Sequence, residues 1–376
     1  MSEIKEIPFD ELLSKIIDNR GKTCPVEESG TPLIATNCIK NDQLYPVFEK
    51  VRYVSASTMK TWFRGHPKPG NIIFVTKGTP GRVAWVPDPI DFCIAQDMVA
   101  LQANENKVDS KYLFAALRSK IIQGEIENLH VGSLIPHFKK GDFGRLLIPI
   151  PEPKTQKFIG DLYFEISLKI DLLHRNNKTL EEMAEVIIKD SCKNFDTIFL
   201  GEIIEIHDNK RIPLSSIQRA EKKEGILYPY YGAATIMDYV NDYIFDGDFI
   251  LLGEDGTVQT EDGYPVLQRL QGKAWVNNHA HVITTKAPFN NDLLEIILKN
   301  TSISHIVTGA VQPKINQGSL KNLEVIVPKC NIEELCLQVS ALLSKRKSNN
   351  DHIASLTKVR DTLLPKLMSG QVRVNI

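Results

Sequence analysis

Gly132-Ser-Leu-Ile-Pro136 returns 309 − 132 = 177 residues later as Gly309-Ala-Val-Gln-Pro313, and the same offset carries Gly141, Leu146 and Pro151 onto Gly318, Leu323 and Pro328 without a gap. Solenoid and propeller periods are several-fold shorter, so the repeating unit is a whole domain. Working outward from this loop, the two halves keep one order of parts. Residues 71–76 read as a strand entering the Gly/Pro-rich turn 77–82, and residues 248–252 enter Gly253-Glu-Asp-Gly256 in the same way. Helical stretches at 111–123 and 292–299 come next, then the matched loop, then strands at 146–150 and 323–327, each stopped by proline. Upstream, Asp18-Asn-Arg-Gly-Lys22 echoes Asp208-Asn-Lys-Arg211. Short strands mixed with few helices define an α+β domain, present twice. Two similar sites on one polypeptide imply a partner with two related places to bind.

Behind each domain the hydrophobic spacing changes to threes and fours. After Pro153, with Thr155 as the expected cap, apolar residues fall at Ile159, Leu162, Ile166, Ile170, Leu173, Leu180, Ala184 and Ile187, interrupted at Asn177. The second run opens on Asn331-Ile-Glu-Glu334, a capping-box-like start. It continues through Leu335, Val339, Leu342, Ile353, Leu356, Leu363 and Leu367, with Arg346 and Asn349 in its middle and Ser369-Gly370 at its end. Two seams of similar length, both polar near the centre, suit an antiparallel coiled coil that aligns polar with polar. About 35 residues at ~1.5 Å each make a rod of roughly 50 Å, longer than a domain of this size is wide. The expected architecture is therefore domains at 1–151 and 191–328, spacer helices at 152–190 and 329–370, a tail at 371–376, and pseudo-two-fold symmetry.

The bulk composition describes an ordinary folded protein: 376 residues, 42% hydrophobic, 7% aromatic and 24% charged. With 45 Lys+Arg against 46 Asp+Glu the net charge is −1, which weighs against nucleic acid unless the cations cluster on one face. The polar, acidic opening and the lack of a membrane-length apolar run predict a cytoplasmic protein with no membrane partner. Cys24, Cys38, Cys93, Cys192, Cys330 and Cys336 form no C-x-x-C pair and read as free thiols.

Motifs for catalysis are missing from the sequence: no G-x-G-x-x-G after a strand, no G-x-x-x-x-G-K-[ST], and no Asn-Pro-Pro-aromatic of an amino-methyltransferase. Asp88, Glu105 and Lys107 fit the loose PD…ExK spacing of a metal-dependent nuclease, but Asp88 lies between prolines and the second half has no counterpart, so they read as loop residues. His279-Ala-His281 would set two imidazoles on one strand face, a possible ligand pair without a third ligand nearby; no metal site is expected. The Gly/Pro loops are more telling. Lys77, Thr79, Arg82, His137, Lys139 and Lys140 in the first half, with Glu254, Asn278, His279, Gln312, Lys314, Asn316 and Gln317 in the second, sit at tight turns and strand ends. Lys and Arg suit phosphate and guanine, Asn and Gln suit adenine. One scaffold carrying different polar residues twice suggests two specificities.

The order domain, helix, domain, helix, together with Gly309-Ala-Val-Gln-Pro-Lys-Ile315 leading to Leu323-Glu-Val-Ile-Val-Pro328 and the ending Leu363-Leu-Pro-Lys-Leu-Met-Ser-Gly370, resembles the specificity subunit of type I restriction–modification enzymes over essentially the whole chain. The resemblance implies two target recognition domains, each reading half of a bipartite duplex-DNA site, and a coiled coil that sets the gap. It also implies two methyltransferase subunits that use SAM and two restriction subunits that use ATP and Mg²⁺, with no cofactor and no active site on this chain. The first half departs from the pattern, with Ser133-Leu-Ile-Pro136-His137 where the second has Ala310-Val-Gln-Pro313-Lys314. The competing expectations are a two-headed scaffold for two protein copies, whose binding would lack the steep salt dependence of DNA binding, and a stand-alone nuclease resting on Asp88, Glu105 and Lys107.

Overall fold

The computed structural model describes residues 4–19, 23–129, 135–191, 194–309 and 311–372. Residues 132–134 and Ala310 of the repeated loop, residues 20–22 of the upstream echo, Cys192 and most of the tail lie outside the described residues. The chain forms two compact units, Met1–Arg175 with Asn349–Ile376, and Asn176–Ser348. Both crossings between them fall in polar stretches, Arg175-Asn176-Asn177 and Ser348-Asn349-Asn350.

In unit 1 the strands are β1 (Lys5–Pro8), β2 (Leu13–Asp18), β3 (Thr31–Ile34), β4 (Arg52–Val54), β5 (Ile72–Val75), β6 (Val83–Trp85), β7 (Cys93–Ile94), β8 (Met98–Ala103) and β9 (Leu147–Ile150). In unit 2 they are β10 (Phe195–Phe199), β11 (Ile204–Ile206), β12 (Tyr228–Tyr231), β13 (Ile236–Val240), β14 (Phe245–Gly253), β15 (Leu267–Val276), β16 (Ala280–Thr285) and β17 (Glu324–Pro328). The main sheets run β2-β8-β5-β6 and β11-β16-β14-β15-β12-β13, and each unit closes with an antiparallel pair of its first and last strands, β1 with β9 and β10 with β17. Register confirms the duplication. Val75 faces Met98 and Leu252 faces His281, and 252 − 75 restores the offset of 177.

Prolines account for the main difference between the sheets. β15 is one strand whose end pairs in parallel with β12, at Trp275 with Tyr230. Its counterpart is cut into β6 and β7 by Pro87-Asp-Pro89, which lack the N–H groups a continuous ladder needs. β7 then pairs in parallel with β3 in a separate three-stranded sheet, Leu33 facing Cys93. The helical stretch of unit 1 is also divided, into Ser110–Arg118 and Lys120–Leu129, by the extended Ser119.

The first long helix is Pro153–Ser191 and the second Ile332–Met368. Pro153 opens the first, so Thr155 lies inside the opening turn and is not the cap; proline suits that place because its missing N–H would be unpaired anyway. Asn331 caps the second, accepting from the Glu334 N–H at 3.4 Å. Within unit 1 the start of the first helix packs on the end of the second: Ile159, Tyr163, Leu364 and Leu367 share the core, and Arg360 lies 5.5 Å from the Tyr163 ring. Within unit 2 the end of the first packs on the start of the second through Ala184, Leu335, Val339 and Leu343. The two helices therefore pair antiparallel. Every seam residue, Leu162, Ile166, Ile170, Leu173, Asn177 and Leu180 on one and Val339, Leu342, Asn349, Ile353, Leu356 and Leu363 on the other, is buried or half-buried. Arg346 interrupts the seam because it is an ion-pair hub, 2.5 Å from Glu181 and 2.8 Å from Glu295.

Cys24, Cys38, Cys93 and Cys336 are free, but Cys330 is disulfide-bonded, against the expectation of free thiols throughout. Sequence spacing gave no sign of it, because a bridge needs proximity that the fold alone provides. Among the described residues no helix is long and apolar enough to cross a membrane.

Candidate nucleic-acid interface

In unit 2, β14 ends at Gly253 and turns through Gly256, whose φ of 81° lies in the region that glycine tolerates best. This turn is stitched to the Pro313 loop by backbone bonds, with Lys314 Nζ also 3.7 Å from Glu254. The Gly256 N–H donates to the Pro313 carbonyl at 2.9 Å, the Ile315 N–H donates to the Glu254 carbonyl at 2.8 Å, and Asp255 bridges Lys314. Gly309 opens the loop at φ 88°, and a Cβ there would fall 2.3 Å from the Gln312 carbonyl oxygen, so no other residue fits without rearrangement.

Unit 1 repeats this join. The Gly78 N–H (φ 85°) donates to the Pro136 carbonyl at 2.9 Å, and Lys77 bridges His137. The hinge between strand end and proline loop is thus the feature the repeat encodes, and it presents the loop side chains at one end of each main sheet.

Beneath the loops of unit 2 lies a buried ionic cluster that sequence spacing does not assemble. Asp208 accepts from the Val282 N–H at 2.9 Å, lies 2.6 Å from His281 Nδ1, and accepts from Gln317 Nε2 at 2.7 Å. His281 Nε2 sits 2.9 Å from the Ile315 carbonyl oxygen, so an oxygen stands against each ring nitrogen. Arg211 reaches Glu254 at 2.6 Å and Asp208 at 3.3 Å. His281 is wholly buried and Asp208 is 8% exposed. Burial pushes the Asp208 carboxyl up, but the hydrogen bonds of His281 and Val282 and the charge of Arg211 outweigh it and hold it below the ordinary carboxylate range. Ligand atoms of Asp208, Glu254 and His281 lie within 4.8 Å of one another, close enough to hold a cation. The Arg211 guanidinium already supplies positive charge between the two carboxylates.

The candidate residues divide accordingly. Lys77, Lys139, Lys140, Asn278, Gln312 and Lys314 stand exposed at the loops, while Arg82 and His137 are half-buried. Glu254 and Gln317 serve the buried cluster. Asn316 caps the short helix Gln317–Lys321, and the Thr79 hydroxyl is enclosed. His279 precedes β16 and takes its own carboxylate, Asp255, at 2.5 Å, while His281 is held by Asp208, so the two imidazoles are not a joint ligand pair. Asp88 and Glu105 are exposed, and Lys107 pairs with Glu11 at 3.2 Å; none of the three belongs to a potential metal cluster among the described residues. Sequence reasoning missed Asp208, Arg211 and His281 as one group, although the upstream echo and the His-Ala-His motif contained all three. The echo was also one residue out of step. Asp18 faces Val99 as His207 faces Val282, so the structural partner of Asp208 is Asn19.

Two α+β units, each with a matched loop hinge and joined by paired helices, define a tandem recognition protein with no evident reaction centre among the described residues. The chain belongs to the type I restriction modification DNA specificity domain family, whose model matches residues 21–182 and again 192–339. A type I restriction enzyme specificity subunit of Haemophilus influenzae is 34% identical over 134 residues, 36% of this chain and 33% of that protein. The MjaIX specificity subunit of Methanocaldococcus jannaschii is 23% identical over 81% of this chain and 78% of its own length. The crystal structure of the type I restriction-modification S subunit from M. genitalium shares the fold, with a TM-score of 0.55 at 18% identity, covering 97% of this chain and 96% of that one.

Proposed function

We propose that the two units read the two halves of a bipartite duplex-DNA site and that the paired helices fix the distance between the halves. In this reading the chain itself carries out no reaction. It docks two methyltransferase subunits, which bring SAM, and two restriction subunits, which bring ATP and Mg²⁺. The observation that carries the proposal is the repeated hinge: the same Gly-to-Pro backbone bond, at 2.9 Å in both units, presents different side chains. A fixed frame with variable polar tips is what base-edge readout requires. Near-zero net charge fits a division of labour in which partner subunits supply much of the non-specific phosphate grip.

The test is a ruler experiment. One heptad inserted at Lys178 of the first helix, with a second at Ser348 of the other, adds about 10 Å of rise. Methylome sequencing should show the gap lengthened by about 3 base pairs, with both half-sequences kept. An unchanged gap would refute the spacer role.

A further inference from the structure

Beside the buried cluster, unit 2 holds an open polar groove of about 520 Å³. Three lysines line it: Lys210 from the turn after β11, Lys286 at the end of β16, and Lys321 at the end of the helix Gln317–Lys321. None of the three makes an ion pair among the described residues, whereas Lys222, Lys223, Lys299, Lys314 and Lys329 of the same unit are all matched with carboxylates. Glu205 is the lone carboxylate of the lining. Lys286 Nζ donates to the Gly201 and Glu202 carbonyls at 3.0 and 3.3 Å, which fixes its position and leaves one of its three protons free. Gln317 lines the groove and also bonds Asp208, so the groove adjoins the loop frame.

Three lysines against one carboxylate in an open groove attract polyanions and focus their field. The corresponding segment of unit 1 carries Lys139 and Lys140 where unit 2 has Asn316 and Gln317, and Gly144 where unit 2 has Lys321. Positive charge is thus kept on this segment in both units while its position moves. Base contacts would require the same groups to sit at a set register; phosphate contacts tolerate such displacement, because the phosphate array is periodic and sequence-independent.

We infer that the groove bounded by Lys210, Lys286 and Lys321 seats backbone phosphates of duplex DNA, gripping the second half-site without reading it. This rests on the DNA-reading function proposed above. The experiment titrates fluorescent duplex with the full chain in complex with its methyltransferase subunits, across a salt series, using the cognate half-site and a scrambled one. Each phosphate left without its lysine should lower the slope of log K against log salt by about 0.9. The variant K210Q/K286Q/K321Q should therefore flatten the slope by about 3 and weaken both duplexes equally, leaving the preference between them unchanged. Because Lys286 also supports backbone carbonyls, K210Q/K321Q serves as a second variant, with about 2 expected, and K210R/K321R should restore the wild-type slope. An unchanged slope, or a loss confined to the cognate duplex, would overturn the groove while leaving the DNA-reading function standing. A wild-type complex that binds neither duplex would overturn that function and the groove with it.

Discussion

Where unit 2 places His281 on the inner strand of its sheet, unit 1 places Met98, and where unit 2 has Asp208 in the turn just after its edge strand, unit 1 has Asn19. Asn19 is buried like its counterpart, but it is neutral and looks elsewhere. Its Oδ1 accepts from the Arg64 and Gly65 N–H groups at 3.0 and 3.3 Å, and its Nδ2 donates to the Gly65 carbonyl at 3.1 Å. The loop hinge is nevertheless the same in both units. Backbone bonds and left-handed glycines therefore suffice to build the frame, and the ionic cluster of unit 2 is an addition beneath it. It ties Gln317, Glu254 and the Ile315 carbonyl to one buried charged group.

The largest effect that can test this contrast is removal of the central carboxylate. Asp208→Ala leaves His281 buried without its nearest carboxylate and Arg211 with Glu254 alone, and should cost unit 2 about 3–5 kcal/mol. Asn19→Ala removes only neutral hydrogen bonds and should cost unit 1 about 1–3 kcal/mol. Amide hydrogen exchange on β16 and β8 reads each unit separately; equal losses would mean that the cluster has no special weight.

A smaller effect is expected from transplanting the cluster. Met98→His alone puts an imidazole in an apolar place and should destabilise unit 1 by about 1–3 kcal/mol. Adding Asn19→Asp should recover part of that loss, with a coupling of about 0.5–3 kcal/mol in a double-mutant cycle. Strict additivity would show that the two positions do not meet in unit 1 as Asp208 and His281 do in unit 2.

The smallest effect is a pH dependence specific to unit 2. Burial, and then the charge of Lys210, holds the His207 ring below its ordinary pKa of 6.5. The ring sits 2.8 Å from the Thr284 hydroxyl and edge-on to Phe249. The folded state thus binds fewer protons there than the unfolded state, so its contribution is complete above about pH 6.5 and fades as pH falls below that value. Denaturant midpoints taken across this window should decline less in His207→Gln than in the wild type; identical slopes would remove His207 from the account.

The two long helices were legible because helical spacing writes a seam directly into the sequence, and the seam positions from Leu162 to Leu180 and from Val339 to Leu363 are buried or half-buried. The repeated turns were legible as well, since Gly256 and Gly309 hold positive φ that other residues resist, and proline marks where ladders stop. Register was not legible. The echo of Asp18 with Asp208 looked natural in the sequence, yet pairing moved it to Asn19, and a strand has no periodicity that fixes its partner's offset. Nor did the thirteen candidate loop residues announce which would be spent on structure, as Glu254, Asn316 and Gln317 are.

By itself the sequence determined that this protein is a doubled α+β frame on two paired helices, because duplication, glycine turns and apolar spacing are all local patterns carried along the chain. The tertiary structure alone decided that residues 73 apart, Asp208 and His281, and 109 apart, Asp208 and Gln317, share one buried charge system. Electrostatics acts through space and not along the chain, so which charges balance one another is set only once β11, β16 and the proline loop have come together.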